Sequence, residues 1–136
     1  MDAAIEISTD KQRIDRGLVH AFLRDHSYWA TTRTREENDR VIDACLTFGA
    51  YRHGRQLAYA RVLTDTVAFA YLGDVFVLPE ARGEGIGKAL LEAILEHPHV
   101  KDVRRTALVT DDAHGLYAQY GFAPFDDVRK WMQRRP

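Results

Sequence analysis

Three glycines stand at alternate positions in the segment PEARGEGIGKALL, just before a stretch with helical periodicity. A glycine costs a helix about 1 kcal/mol relative to alanine, so Gly83, Gly85 and Gly87 require a physical reason. The first N–H groups of a helix lack partners inside it, and the helix dipole adds positive character at that end. Without Cβ atoms a phosphate can approach these amides, and Arg82 can add charge at the rim. The segment therefore predicts an anion site.

Two common nucleotide-binding motifs do not fit this segment. The dinucleotide fingerprint G-x-G-x-x-G requires a glycine where the chain has Lys88. A Walker A loop requires a glycine in place of Arg82 and a serine or threonine in place of Ala89. On these residues alone the type of phosphate ligand stays open, and a glycine turn that only allows close helix–strand packing remains the alternative.

The surrounding residues resemble those of a known family. VFVLPEARGEGIGKALL resembles the acetyl-CoA-binding motif of the GNAT superfamily of acyl-CoA-dependent N-acetyltransferases, whose signature Arg/Gln-x-x-Gly-x-Gly/Ala is met by Arg82, Gly85 and Gly87. Downstream, LYAQYGF (116–122) resembles the second family signature, Leu-Tyr, three residues, Gly-Phe. The two motifs stand in the family's order, and the resemblance extends through the order of the elements to the whole chain.

The resemblance implies where coenzyme A would bind. Main-chain amides of the glycine segment would hold its pyrophosphate, and the edge of the preceding strand would pair with its pantetheine arm in a V-shaped gap beside strand 104–110. Many relatives carry an asparagine where this chain has Thr110, so that pantetheine contact is either lost or made by a hydroxyl. The residues assigned to acetyl-CoA binding are Val75, Phe76, Val77, Arg82, Gly83, Glu84, Gly85, Ile86, Gly87, Lys88 and Thr110.

Transfer of an acetyl group to an amine requires a neutral amine, a donor to the carbonyl oxygen and an acid for the leaving thiolate. Tyr117 is assigned as the acid, because a phenol with a pKa near 10 keeps its proton at neutral pH. The resemblance also places the tyrosine of this motif beside the sulfur. As in relatives, a backbone N–H near Phe76 would stabilise the developing oxyanion.

The general base is assigned to Asp74, a charged residue at the end of an apolar strand, where desolvation would raise its pKa. The alternative is a carboxylate that pairs with an arginine and has no catalytic role. Asp111, Asp112, His114 and water are the other candidates for the base. Asp112 is expected as the N-cap of the helix that carries Tyr117.

In the family that the chain resembles, acceptor specificity lies mainly in the first two helices and the loop between them. Here the loop contains Tyr28 and Trp29, with Arg33 close behind. An aromatic wall with a cation could receive an amine that bears a flat ring or a carboxylate. Alternatively, the two aromatic side chains pack onto the core. Tyr51 and Arg61 on the following strands are further candidates for the cleft.

Hydrophobic periodicity places these residues on an α/β framework. The element order β-α-α-β-β-β-α-β-α-β predicts a mixed sheet of about six strands with about four helices, the fold of the GNAT acyl-CoA N-acyltransferases. Segment 67–110 predicts a crossover between parallel strands. The predicted strands are 4–8, 47–53, 55–64, 67–78, 104–110 and 129–133, and the predicted helices are 12–24, 34–46, 86–96 and 113–121.

The composition narrows the class of protein. A chain of 136 residues fits one domain, 1–136, and its 46% hydrophobic and 29% charged residues are typical of globular proteins. A net charge of −1 does not favour a nucleic-acid partner.

Cys45 is the only cysteine, which favours a reducing compartment. No signal peptide or membrane span is found, so a cytoplasmic protein without a membrane partner is expected. The scattered histidines suggest no metal site, and an exposed sheet edge would suit a homodimer.

These observations predict an enzyme that moves an acetyl group from acetyl-CoA to a primary amine of a small molecule or peptide. Attack would be direct, in a ternary complex, since no nucleophilic cysteine or Ser-His-Asp arrangement is indicated. The alternative from another class of protein is a non-catalytic module that binds acyl-CoA, as a sensor or as a subunit of a complex.

Overall fold

The computed structural model describes residues 4–136. Five strands form one sheet in sequence order, antiparallel from the first to the fourth, with the fifth strand parallel to the fourth. They are β1 (Glu6–Ser8), β2 (Leu46–Arg52), β3 (Arg55–Thr64), β4 (Phe69–Val77) and β5 (Arg105–Leu108). The α-helices of the described chain are α1 (Arg16–His26), α2 (Arg35–Ala44), α3 (Ile86–Glu96) and α4 (His114–Ala118). The mixed α/β fold and the parallel crossover are therefore confirmed.

Short polar side chains set the starts of the first two helices. At α2, Thr34 Oγ1 accepts from the Glu37 amide at 3.1 Å and the Glu37 carboxylate accepts from the Thr34 amide at 2.9 Å, the capping box that the sequence predicts. Helix α1 begins later than predicted, because the Asp15 side chain accepts from the Leu18 amide and caps it. The residues before it form a separate 3-10 turn, Lys11–Arg13.

The sheet lies between two helical layers. On one face, the ring of Phe22 from α1 stacks on Phe76 of β4, with centroids 4.0 Å apart and planes at 11°. On the other face, a Cβ on Gly87 of α3 would lie 3.7 Å from a methyl of Val77, so the helix start packs directly on the strand. Within residues 4–136, none of the helices has the length and apolar character that a bilayer span requires.

Strand β4 is interrupted by a bulge that creates the geometry of the site. Its pairing with β3 matches Gly73 to Arg61 and then Phe76 to Tyr59, so two residues of β4 face the single Ala60. Within this bulge Asp74 has a φ of 53°, a left-handed conformation that aspartate adopts more readily than most residues.

The same strand separates from its parallel neighbour at the bulge. Pairing between β4 and β5 ends at Leu72 opposite Leu108, although β4 continues to Val77. The last residues of β4 therefore have a sheet partner on the β3 side alone, and a V-shaped gap opens towards β5.

The C-terminal segment differs from the prediction. The strand predicted at 129–133 is wrong: the chain forms a 3-10 turn, Val128–Lys130, and continues to its end without regular structure. Trp131 instead stacks on Phe125 with centroids 4.7 Å apart, and the Arg105 guanidinium lies 5.1 Å from its indole ring. The segment therefore makes contacts with aromatic and cationic side chains and does not pair as a sixth strand of the sheet.

Candidate active site

A cleft of about 780 Å³ extends from the gap between β4 and β5 towards α1 and the loop that follows it. It joins the three sets of residues that the sequence assigned to acetyl-CoA, to chemistry and to the acceptor. The assigned residues that line it are Tyr28, Trp29, Arg33, Asp74, Val75, Phe76, Val77, Arg82, Gly87, Thr110 and Tyr117. The other assigned residues, 83–86 and Lys88, belong to the adjoining turn and first helical turn of α3.

The start of α3 has the features of an anion site. Gly83 and Gly85 have φ values of 81° and 80°, which L side chains rarely adopt, and a Cβ added at either would meet no atom within 4 Å. Gly85 is the N-cap residue and has no side chain to cap the helix. The amides of the first helical turn therefore lack an intrahelical or side-chain partner and face open space.

Side chains around this turn fix its position. Arg82 donates from Nε to the carbonyl oxygen of Val77 at 3.1 Å, which ties the turn to the end of β4. The carboxylate of Glu84 pairs with Arg52 at 3.0 Å and Ile86 is buried, so both can reach a ligand only through their main-chain amides. Lys88 is exposed.

The open edge of β4 offers main-chain groups to the cleft. The Leu78 amide donates to the Leu57 carbonyl on β3 at 2.8 Å. Because main-chain groups alternate sides along a strand, the N–H groups of Val77 and Val75 point to the gap and that of Phe76 points to β3. If this edge supplies the oxyanion donor expected near Phe76, the strand alternation favours the amide of a flanking valine.

Tyr117 is held in place by the way α4 ends. The Phe122 amide donates to the Tyr117 carbonyl, the Gly121 amide donates to Ala118, and Gly121 has a φ of 89°, which together form a Schellman motif. The rings of Tyr117 and Phe122 meet edge to face with centroids 5.7 Å apart. The Leu-Tyr, three residues, Gly-Phe signature thus encodes a helix end whose closing contact fixes the tyrosine.

The environment of Tyr117 suits an acid. Its side chain is 9% exposed, and burial raises the pKa of the phenol above its ordinary value. Its side chain is part of the cleft lining. The hydroxyl keeps its proton at neutral pH and remains available to a group in the cleft.

The loop before α4 is capped by a residue other than the one predicted. The N-cap position is Ala113, and the expectation of Asp112 there is wrong. Thr110 Oγ1 accepts from the Ala113 amide at 3.1 Å, because its hydroxyl lies nearer to that amide along the turn. The O–H of Thr110 still has its proton to donate into the cleft that this residue lines.

Asp74 is the centre of a buried ionic cluster. Arg33 donates to both of its oxygens at 2.6 and 2.9 Å, Arg61 Nε donates to Oδ2 at 2.7 Å, and Trp29 Nε1 donates to Oδ1 at 2.7 Å. Burial favours the protonated acid, but the hydrogen bond from Arg33 and the charge of Arg61 outweigh it and lower the pKa of Asp74. The raised pKa expected from the sequence is therefore wrong, because two guanidinium groups come from distant parts of the chain.

The loop between α1 and α2 presents its two aromatic side chains to the cleft and not to the core. Tyr28 and Trp29 are 55% and 41% exposed, with ring centroids 4.9 Å apart. The Tyr28 hydroxyl accepts from the Asp111 amide at 3.0 Å, which joins this loop to the loop before α4. Of the two further candidates, Arg61 lines the cleft, whereas Tyr51 is buried beneath the guanidinium of Arg13.

Sequence reasoning missed three polar side chains that line the cleft. His26 ends α1, Tyr71 lies on β4 with the Arg61 guanidinium 5.8 Å from its ring, and Arg135 belongs to the C-terminal segment. Strand alternation from Gly73 could have located Tyr71 on the face of Arg61. Nothing local identifies Arg135, because its segment has no periodicity. Within residues 4–136, no group of three or more His, Cys, Asp or Glu side chains could hold a metal ion.

A parallel strand pair that opens beside a glycine-rich helix start is the arrangement that the resemblance to acyl-CoA-dependent N-acetyltransferases implies, and comparison with known proteins agrees. The model of the acetyltransferase (GNAT) domain matches residues 43–124. The chain belongs to the GNAT family of acetyltransferases.

Individual relatives support the same assignment. A crystal structure from Xanthomonas campestris pv. campestris, of a protein assigned to the GNAT acetyltransferases, is 46% identical with a TM-score of 0.96, covering 100% of this chain and 96% of that one. A Gibberella zeae protein whose name assigns it provisionally to the acetyltransferases is 29% identical over 83% of this chain and 75% of its own. N-acetylglutamate synthase of Neisseria gonorrhoeae, solved with coenzyme A and N-acetylglutamate, shares the fold at 18% identity and a TM-score of 0.72, over 96% of this chain and 32% of that one.

Proposed function

We propose that this protein transfers an acetyl group from acetyl-CoA to the primary amine of a small molecule or peptide, by direct attack in a ternary complex. The observation that carries the proposal is the continuity of one cleft. It runs from the uncapped start of α3, along the open edge of β4, to the hydroxyl of Tyr117 and the aromatic acceptor loop. A binding module would need the first two parts, whereas catalysis needs all of them.

The residues present fit acetyl-CoA. The space in front of Gly83 and Gly85 is open, and the amides of Ile86, Gly87 and Lys88 can donate to a pyrophosphate there. The amides of Val75 and Val77 can pair with the pantetheine arm, and the Thr110 hydroxyl can add a donor. When bound, acetyl-CoA supplies an activated acyl group with a thiolate as the leaving group.

Two groups of this chain act on the reacting atoms. The N–H of Val75 or Val77, directed into the gap, donates to the acyl oxygen as that oxygen gains negative charge, which is the task of an oxyanion hole. The Tyr117 hydroxyl keeps its proton at neutral pH because burial raises its pKa, and it gives that proton to the leaving sulfur as the C–S bond breaks. The phenolate then regains a proton from the water that receives the proton of the attacking amine.

The proton of the attacking amine goes to water in the cleft. Asp74 does not suit this task, since both its oxygens accept hydrogen bonds and the two arginines lower its pKa. Asp111 and His114 are exposed and lie outside the cleft lining, whereas Asp112 lines the cleft but is exposed. We therefore revise the role of Asp74 from general base to positioning residue, which orients Trp29, Arg33 and Arg61.

The proposal is tested by the release of free thiol from acetyl-CoA with a panel of amines and peptide N-termini, with mass spectrometry of the product. We expect release that depends on the amine, matched by one N-acetylated product. Thermal stabilisation by coenzyme A without turnover on any amine would instead identify a non-catalytic acyl-CoA sensor or complex subunit. Absence of both would remove the acetyl-CoA site as well.

A further inference from the structure

The cluster around Asp74 carries more positive than negative charge. Arg33 and Arg61 share this one carboxylate, which leaves one positive charge without a partner in the cluster. The side chains are shielded from water, with 24% of Arg33, 14% of Arg61 and 2% of Asp74 exposed. Buried charges in proteins are ordinarily paired, so a half-buried excess charge in a cleft points to an anion that arrives with a ligand.

Arg61 has N–H groups to offer such an anion. A guanidinium carries five N–H donors. In Arg61, Nε donates to Asp74, and Nη1 has only the sulfur of Cys45 at 3.8 Å, a weak acceptor. Among residues 4–136 no hydrogen bond from Nη2 of Arg61 is found.

Gly73 leaves the space in which this guanidinium lies. A Cβ at Gly73 would approach Cζ and Nη2 of Arg61 to 3.1 Å, so the planar group lies flat against the strand at the wall of the cleft. Arg33, across Asp74, lines the same wall and also has donors left after its bonds to Asp74 and Asn38. The position of the planar Arg61 guanidinium, whose N–H groups form a fork, is therefore fixed before any ligand arrives.

We infer that the acceptor amine carries a carboxylate, which pairs with the cleft-facing N–H groups of Arg61 and Arg33. This inference rests on the proposed acetyl transfer and names the substrate class of the same site. The guanidinium fork matches a carboxylate geometrically, and one unpartnered positive charge calls for a monovalent anion. With its carboxylate held there, the acceptor directs its amine towards Val75 and Tyr117 in the same cleft.

Kinetics with matched acceptors test the inference. We would compare glycine, β-alanine, γ-aminobutyrate and ε-aminocaproate, each with its own carboxamide, and determine kcat/KM for every pair. We expect the best acid to exceed its amide by about tenfold or more, the usual scale of a charge-assisted hydrogen bond. In the short members, amidation lowers the pKa of the amine, so the intrinsic reactivity favours the amide and cannot produce this preference.

Variants assign the preference to the arginine. In Arg61→Gln the acid-to-amide ratio should fall close to unity, and Arg61→Lys, which keeps the charge without the fork, should give an intermediate ratio. Arg24→Gln, at an exposed arginine paired with Asp25, is the matched control and should keep the wild-type ratio. An equal loss for acid and amide in Arg61→Gln would contradict the inference, since Arg61 would then act on the fold or the chemistry.

A binding measurement keeps the inference testable without turnover. The Trp29 indole N–H donates to Asp74, and the chain's only other indole belongs to Trp131, so Trp131→Phe assigns its proton resonance. In protein saturated with coenzyme A, the amino acids of the series above should shift this resonance, and their carboxamides should not. The same titration in Arg61→Gln should lose the shift. No difference between acid and amide would overturn the inference. Thiol release with amines that lack a carboxylate would still leave the proposed function standing.

Discussion

Arg61 on β3 donates from Nε to Oδ2 of Asp74 on β4 at 2.7 Å, and the bulge of β4 makes this contact. Arg61 pairs in register with Gly73, one residue before the left-handed turn at Asp74. Asp74 therefore belongs both to the bulge of β4 and to the ionic cluster at the wall of the cleft. The ionic cluster and the open edge of β4 share one backbone irregularity.

The first prediction separates a positioning role from a base role for Asp74. Asp74→Asn keeps the left-handed backbone accessible but leaves two buried arginines without a charge partner. We expect the free energy of unfolding to fall by about 3 kcal/mol, measured by urea denaturation. Asp25→Asn, at an exposed ion pair, is the control and should produce no measurable change.

The stability difference between the wild type and Asp74→Asn should depend on pH in a direction that follows from the pKa of Asp74. Because the folded pKa of Asp74 lies below its ordinary value of about 3.9, its stabilising effect is complete above that pH. The advantage of the wild type over Asp74→Asn should stay constant from neutral pH to about pH 5 and shrink as the pH falls through the lowered folded pKa. A change centred near neutral pH would contradict this account and restore the carboxylate as a base.

The second prediction concerns the acid. Tyr117→Phe should lower kcat by about a hundredfold, because the leaving sulfur loses its proton donor, and should leave the affinity for acetyl-CoA nearly unchanged. In the wild type, loss of the Tyr117 proton should not limit kcat below about pH 10, since burial raises its pKa. Tyr120→Phe is the control, as that hydroxyl donates to Glu92 on the surface. Unaltered kcat in Tyr117→Phe would assign the proton to another donor.

The third prediction separates backbone strain from ligand contact at the helix start. Gly85 and Gly54 have φ values of 80° and 75°, and a Cβ at either meets no atom within 4 Å. Alanine should therefore destabilise the protein by a similar amount at both positions, about 1 kcal/mol. Only Gly85→Ala should also weaken coenzyme A binding, by about tenfold or more in calorimetric titration, because its methyl stands before the amides of α3. Equal affinities of the two variants for coenzyme A would show that the pyrophosphate does not bind at this helix start.

Much of this site could be predicted because its signals are local. The capping box of α2, the glycines before α3 and the motif around Tyr117 each lie within a few residues, and short-range geometry decides them. Asp74 could be selected from its position on an apolar strand, but its partners are separated from it by 41 residues at Arg33 and 13 at Arg61. The sign of its pKa shift depended on those distant contacts.

The remaining errors have the same origin. Asp112 has the residue type of an N-cap, yet the turn brings the hydroxyl of Thr110 to the Ala113 amide instead. The last predicted strand has suitable residues, but Trp131 stacks on Phe125 and lies against Arg105 of the edge strand β5 without pairing with that strand. In both cases a contact between side chain and loop overrode a local preference.

The fourth prediction follows from that cap. Thr110→Ala removes the hydroxyl that accepts from the Ala113 amide, so it should destabilise the protein by about 1 kcal/mol and displace the start of α4. Because α4 carries Tyr117, kcat should fall, on the order of tenfold, as expected for a misplaced reacting group. Thr110→Ser keeps the hydroxyl and should restore both properties. If Ser and Ala lowered kcat alike, the methyl group of Thr110 would be the relevant feature.

Amide hydrogen exchange along β4, with and without coenzyme A, tests the central claim most directly. By strand alternation from the Leu78 amide, which donates to Leu57 on β3, the amides of Val75 and Val77 point to the gap and that of Phe76 points to β3. Binding should slow exchange at Val75, Val77 and residues 86–88, and leave Phe76 nearly unaffected. If coenzyme A bound while exchange at both valines stayed unchanged, the open edge of β4 would not be where the acyl donor lies.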